Sequence, residues 1–423
     1  MRETILSALP PCFEKWCQKF DDLFKTKGQK KGFRYYLAGL LGESQRKNIA
    51  QMTNNFVGAT YNNIYHFISF APWDKNLINE RRLKIMNKNN QTKIRNGFAL
   101  IIDDSGQRKS GNFTDGVGRQ YLGEIGKTDN GIVIVTTHLY DGVRSLPLDV
   151  ELYQKSSSLP DGKEDKEFVK KPDLAIKLVK KTLSRKYRPG IVLVDGGYGN
   201  NSSFLQELER LELNYIGGLA KNRQVSVINQ KTGKKQSEKR LDEIALSLPE
   251  NNFQEVTLEQ DIPKTVWVAT IEAETKGLNG IRTIAIVMNS SSVKDATEID
   301  YLITSKQDES VTGAWIVKTF SDRNYIEKFY REAKGWLGLK EYQVRDKTSM
   351  MRHFILVFVA YTFILYQQLM GGLRKRYSRL ALTNFTETLE AFITGVSYKF
   401  FCWLQENQEI FAQHKAELGL IWG

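Results

Sequence analysis

PGIVLVDGGYGNNSSFLQELERLELNYIGGLAKN, residues 189–222, holds two apolar runs around an amphipathic segment, and its reading decides the fold. Residues 191–194 are apolar at every position, as in a strand covered on both faces. A glycine turn follows, and Asn201 and Ser202 then stand where their side chains can cap the free N–H groups of a helix. The second run, from Tyr215, completes a βαβ unit, which requires two parallel strands.

Working outward, the upstream period is that of strands. GFALIIDD (97–104), GIVIVTTHLY (131–140) and SLPLDVELY (145–153) are β-rich runs separated by Gly, Asn and Asp, the pattern of an antiparallel meander. A Lys-rich helical segment over about 166–186 leads into the βαβ unit. Downstream, KTVWVATIEAE (264–274) and IRTIAIVMN (281–289) make residues 222–312 a polar, β-rich insertion, after which helical patterns resume to the end. The expected fold is α/β: a mixed sheet flanked by helices. Its expected segments are a basic helical domain at 1–95, a core beginning at 96–221, the insertion at 222–312, and the core's last helices at 313–423.

Charge narrows the partners. The 61 Lys and Arg against 48 Asp and Glu favour a polyanion, either nucleic acid or an anionic membrane surface. Residues 1–97 alone hold 17 basic and 7 acidic residues, which makes the N-terminal helices a candidate binding module, although for any single cluster such as KTKGQKKGFR (25–34) a solvated basic surface is the plainer reading. Three cysteines and four scattered histidines support neither a disulfide framework nor a zinc site, and they fit a reducing cytoplasm. No apolar leader stands at the N-terminus. HFILVFVAYTFILYQQLM (353–370) is the one membrane suspect, but Tyr361, Thr362, Tyr366 and two glutamines interrupt it, so a buried core helix is expected and no membrane partner.

Chemistry enters at the strand ends. If residues 98–103 and 191–195 lie side by side and parallel, Asp103 and Asp195 reach one edge of the sheet. Singly, each aspartate reads as a turn starter or helix cap. Asp104 competes with Asp103, since neighbouring strand residues point to opposite faces; Asp103 is preferred because it follows its apolar run as Asp195 does. A third acid comes from RNYIEKFYREAKGWLGLKEY (323–342). On a helical wheel, Ile326, Tyr330, Ala333 and Leu337 form an apolar stripe, and Arg323, Glu327, Arg331 and Lys334 form a polar stripe beside it. Plain i,i+4 ion pairing would also explain that polar stripe. Glu332 falls outside both stripes and reads as solvated. Three carboxylates brought together could hold two hard divalent cations and clamp the oxygens of an in-line phosphoryl transfer, with the stripe's cations on the flanking phosphates.

These motifs resemble a known family. IIDDSG (101–106), DGVGRQYLGEIGK (115–127), VLVDGGYG (192–199) and RNYIEKFYREAKGWLGLKEYQVR (323–345) are similar to the DDE transposases of bacterial insertion sequences, and YLAGLLGESQRKN (36–48) resembles their N-terminal helical region. The resemblance implies an RNase H-like core and a metal-binding triad of Asp103 (or Asp104), Asp195 and Glu327. It implies two Mg²⁺ ions, with Mn²⁺ as a substitute, and double-stranded DNA partners, namely terminal inverted repeats and target DNA. It also implies a dimer or larger synaptic assembly. Arg323 and Lys334 match a Tyr-Arg-Glu-Lys signature of one branch, while the tyrosine's place holds Phe320, so that branch's hydroxyl contact to phosphate is missing. Trp267 and Trp315 are base-stacking candidates by the same resemblance, although a buried core role is the plainer one. Asp149 and Glu151 could assist the site, or be strand-end surface charge. The expected activity is end cleavage and strand transfer; the rivals are a non-catalytic DNA-binding relative and a nuclease that cuts without joining.

Overall fold

The structure, a computed structural model, describes residues 9–54, 59–229, 232–259, 263–409 and 412. Helices open the chain: α1 (Pro11–Gln18), α2 (Lys27–Leu41), α3 (Ile49–Asn54), α4 (Tyr61–Ser69) and α5 (Lys75–Met86). Thr26, Thr60 and Asp74 cap α2, α4 and α5 by accepting a backbone N–H of the first turn. Close packing of α2 on α4 needs Gly32, because a Cβ there would stand 2.6 Å from the Phe67 ring.

The meander follows as β1 (Ala99–Arg108), β2 (Gly118–Leu122), β3 (Lys127–Tyr140) and β4 (Ser145–Tyr153). Next come α6 (Lys171–Ser184), β5 (Ile191–Val194), α7 (Gly196–Gly199), α8 (Ser202–Arg210) and β6 (Tyr215–Leu219). β1 is parallel to β5 with Ile102 beside Val194, and β5 is parallel to β6. β3 runs antiparallel to both β1 and β4. The order β4-β3-β1-β5-β6, with β3 alone reversed, is the RNase H-like sheet.

The β-rich stretch supplies β7 (Gln224–Val227), β8 (Lys239–Arg240), α9 (Leu241–Ser247), β9 (Gln254–Leu258), β10 (Lys264–Thr275), β11 (Arg282–Met288) and β12 (Ile299–Thr304). Its last strand, β12, pairs antiparallel with the free edge of β6, so these strands continue the same sheet. That pairing covers an edge whose N–H and C=O groups would otherwise be open. Among the described residues four helices follow: α10 (Gly313–Ser321), α11 (Asn324–Trp336), α12 (Lys347–Met370) and α13 (Phe385–Glu406).

Alternation along β1 divides the interior into two cores. Ala99 and Ile101 face a core shared with α11, α12 and the N-terminal helices, while Leu100 and Ile102 face one shared with α6 and α8. The membrane suspect is the central helix α12, and 94% of its most apolar window is buried inside the fold, as a core helix requires. Its polar side chains have protein partners: His353 Nδ1 lies 2.7 Å from the Tyr36 hydroxyl, and Arg352 donates to the carbonyls of Ile68, Ala71 and Trp73.

One expectation is corrected here. Asp149 is not surface charge, because side chains from α5 and from the end of α6 close over it and leave it 1% exposed. Arg185, Lys181 (2.8 Å) and Asn79 (2.9 Å) surround its carboxylate. Burial pushes its pKa up, but Arg185 and Lys181 outweigh burial and hold it below the ordinary value. Glu151 does meet water, and pairs with Lys177 at 2.8 Å.

Candidate active site

Ile102 pairs with Val194, the last residue of β5, so Asp103 on β1 and Asp195, the cap residue that follows β5, each stand one position beyond that pair. Asp103 is buried and turns to the α11 face. Arg323 Nη2 donates to its Oδ2 at 2.9 Å, and the backbone N–H of Asp104 donates to its Oδ1 at 2.8 Å. Arg323 Nη1 also lies 3.3 Å from Glu327 Oε1, so one guanidinium joins a strand carboxylate to one a turn further along α11. Tyr330 braces the junction, since its hydroxyl donates to the Asp103 carbonyl at 3.2 Å and shares a hydrogen bond with Thr136, the residue opposite Asp103 on β3.

Asp104 points the other way, to α6, where Lys171 Nζ donates to it at 2.6 Å. The two candidate first acids thus lie on opposite faces, and Asp103 is the one that shares a partner with Glu327. Asp195 is half-buried and caps α7, accepting from the N–H groups of Gly197 (2.9 Å) and Tyr198 (3.2 Å), both through Oδ1. Its turn is seated on β6 by a glycine: a Cβ on Gly199 would lie 2.1 Å from the Gly218 carbonyl oxygen.

The electrostatics follow from burial and crowding. Asp103 has its pKa raised to about 7, first by burial, with Asp195, Glu327 and Asp104 adding to the rise and Arg323 opposing it. Burial alone would lower the Arg323 pKa, but Asp103, Glu327 and Asp195 outweigh burial and raise it. Burial raises the Tyr198 pKa, and the charges of Asp104, Asp103 and Asp195 add to the rise; its buried hydroxyl has no hydrogen-bond partner among the described residues. Arg323 Nε is likewise buried and, among the described residues, unpartnered.

The rest of the polar stripe lies along α11. Arg331 is exposed, and Lys334 Nζ is 3.6 Å from Glu124 Oε2, a carboxylate it shares with Lys340. Phe320 is half-buried at the end of α10 and offers no hydroxyl. Trp267, on β10, and Trp315, in the first turn of α10, are each half-buried against a core rather than sunk in it, and Lys306 lies 4.8 Å over the Trp315 ring. Glu332 corrects the wheel: it is buried, not solvated, because α12 and α13 cover that side of α11. Tyr361 donates to it at 2.9 Å, and burial raises its pKa.

Four groups at the site escaped the sequence reading: Lys171, Glu124, Tyr198 and the Tyr330 hydroxyl. Tyr330 sits in the apolar stripe, and only contact with β3 reveals its polar use. Lys171 arrives from the Lys-rich helical segment, which carries no motif, whereas Glu124 stands within DGVGRQYLGEIGK and Tyr198 within VLVDGGYG.

Would a metal fit? Asp103, Asp195 and Glu327 offer hard oxygen donors, and Arg323 neutralises them only in part. The orphaned Tyr198 hydroxyl and Arg323 Nε mark hydrogen-bonding capacity that the protein leaves unused. The acids are nevertheless not drawn into a closed shell, since among the described residues no three Asp, Glu, His or Cys side chains stand together as a metal-binding group. In donor type and charge the site fits a divalent cation, and in this conformation Arg323 takes the counter-ion's part.

Comparisons with known proteins give the family and its relatives. Residues 19–268 match the family described as DDE superfamily endonuclease. A curated relative, the probable transposase for insertion sequence element IS701 of Microchaete diplosiphon, is 32% identical over 218 residues. That match spans 51% of this chain and about half, 55%, of the relative. A piggyBac transposase, solved by cryo-EM as a synaptic complex with hairpin DNA, is 13% identical, with a TM-score of 0.44 over 96% of this chain and 79% of that one.

Proposed function

This chain belongs to the DDE superfamily of endonucleases, and on that premise we propose that it is an insertion-sequence transposase. It binds its element's terminal inverted repeats, cuts DNA at the ends and joins the freed 3′-hydroxyl to target DNA. The observation that carries this reading is the Arg323 guanidinium held between Asp103 and Glu327, with Asp195 on the neighbouring strand end.

Asp103, Asp195 and Glu327 are the acids that would hold two Mg²⁺ ions, with Mn²⁺ as a substitute. Bound there, the ions supply activation of the attacking oxygen and charge stabilisation at phosphorus. The chain's own residues position and neutralise. Tyr330 and Thr136 fix the backbone at Asp103, and the α7 N–H groups fix the Asp195 carboxylate. Arg323, Arg331 and Lys334 contact phosphates beside the scissile bond, and Arg323 is suited to this because its planar fork can exchange one pair of oxygens for another. Trp267 and Trp315, each half-buried, are candidates to stack on an unpaired base. Two ends must be held together, so a dimer or larger assembly forms on DNA in the cytoplasm, at the nucleoid.

The test is incubation with Mg²⁺ or Mn²⁺ and DNA carrying the repeats that flank the protein's own gene. Wild type cleaves and Glu327→Gln does not, while both bind. A strand-transfer assay with precleaved ends separates a transposase from a nuclease that never joins. Equal cleavage by both proteins removes Glu327 from the chemistry.

A further inference from the structure

Helix α4 differs from its neighbours in what it exposes. Ile64, Phe67 and Ile68 pack inward, against α2 in part through the gap left by Gly32. The outward arc carries Tyr61, Tyr65, Ser69, Asn62, His66 and Asn63 in order around the wheel, centred near Asn62. No Lys, Arg, Asp or Glu lies anywhere on this helix. Three large aromatics at or beside it are open to solvent: Tyr61 at 45%, Tyr65 at 37% and Phe70 at 66%.

Those rings hold one another. Tyr61 and Tyr65 stack with centroids 5.8 Å apart and planes at 15°, and Phe70 meets Tyr65 edge-on at 5.7 Å. Beside them, Lys25, Lys31 and His66 border a cavity of about 490 Å³ between α2 and α4 whose described walls contain no carboxylate. Lys25 and Lys27 are exposed at the head of α2.

We propose that α4 is the helix that reads base edges in the major groove of duplex DNA, with the head of α2 on the adjoining phosphates. The inference rests on the reading of this chain as a DNA-binding transposase. A groove-reading helix must present hydrogen-bonding and flat apolar groups and no carboxylate that phosphates would repel. Asn62 supplies an amide that donates and accepts at once, the pattern complementary to an adenine edge. His66 and Tyr65 flank it with one polar group each, and their rings suit thymine methyls. Lysines alone would bind any sequence, so the division of labour between α4 and α2 is what yields preference for one.

The experiment uses the full chain and a library of random-sequence duplexes, sequenced after selection. Wild type should enrich one motif. Asn62→Ala/His66→Ala should lose about tenfold or more of the preference for the selected duplex over a scrambled one, with binding to the scrambled duplex unchanged. Lys25→Ala/Lys27→Ala should weaken both duplexes alike and flatten the salt dependence. All four positions are at the surface, so each variant should unfold where wild type does. If the Asn62/His66 variant selects the wild-type motif with wild-type preference, the inference fails while the transposase reading stands. If wild type selects no motif and binds neither duplex, that reading fails and takes this one with it. If the variant keeps the motif but turns a sedimenting dimer into a monomer, α4 is a protein interface and the proposal is overturned.

Discussion

Asp103→Asn should make the metal-free protein more stable at alkaline pH while abolishing its activity. The magnitude follows from the site. Burial, with Asp195 and Glu327 nearby, moves the Asp103 pKa from 3.8 to about 7 even though Arg323 opposes the change. Between about pH 4 and pH 7 the folded chain keeps a proton that the unfolded chain has released, so stability is greatest below the unfolded pKa and falls as pH rises through the folded one. The full displacement corresponds to ~4 kcal/mol above pH 7. Asparagine cannot ionise but can still accept one bond from Arg323; loss of the charge on that bond takes back about 2 kcal/mol. Without metal the variant should therefore exceed wild type by about 2 kcal/mol at pH 8, and should fall level with it or below at pH 5. Urea unfolding in chelator at the two pH values reads this directly. Added Mg²⁺ should then narrow the gap at pH 8 by stabilising wild type alone. A difference between the two proteins that is the same at both pH values would refute the argument.

Three further outcomes are expected. Asp104→Asn should leave cleavage within a few-fold of wild type, because Asp104 serves Lys171 on the far face, whereas Asp103→Asn abolishes it; a gel assay of end cleavage compares them. Glu332→Gln should match or exceed wild-type stability in urea, since the amide still accepts from Tyr361 without a buried charge, while Glu332→Ala should lose about 1–3 kcal/mol by stranding that hydroxyl. Gly199→Ala should cost more than about 2 kcal/mol and cut cleavage strongly, because its Cβ meets the Gly218 backbone at 2.1 Å and the displaced turn carries Asp195; thermal unfolding and cleavage rates check both.

Much of the fold was legible because period and punctuation agreed. The run at 191–194 and the capped helix at 202–210 require the parallel pair, and the register of β1 on β5 brings Asp103 beside Asp195. Residues 353–370 were readable as a core helix because polar residues interrupt them, and Glu332 and Arg82 partner two of these, Tyr361 and Thr362. What stayed hidden depends on tertiary cover. Glu332 sits at a solvated angle on the isolated helix, and only α12 and α13 bury it. Asp149 looks like a strand-end charge until α5 and α6 deliver Asn79, Lys181 and Arg185 to it. The insertion read as a separate β-rich stretch because nothing local in β12 announces that it will pair with β6. The i,i+4 explanation of the α11 stripe holds for Arg323 and Glu327, but it omits the stronger partner, Asp103, 220 residues away in sequence.

The most direct measurement is anomalous scattering from crystals of the full chain soaked in Mn²⁺. Peaks should lie against Asp103, Asp195 and Glu327, with Arg323 swung off both of its carboxylates. Manganese bound at Asp104 and Lys171's face, or no manganese within reach of Glu327, would contradict the shared-cation site.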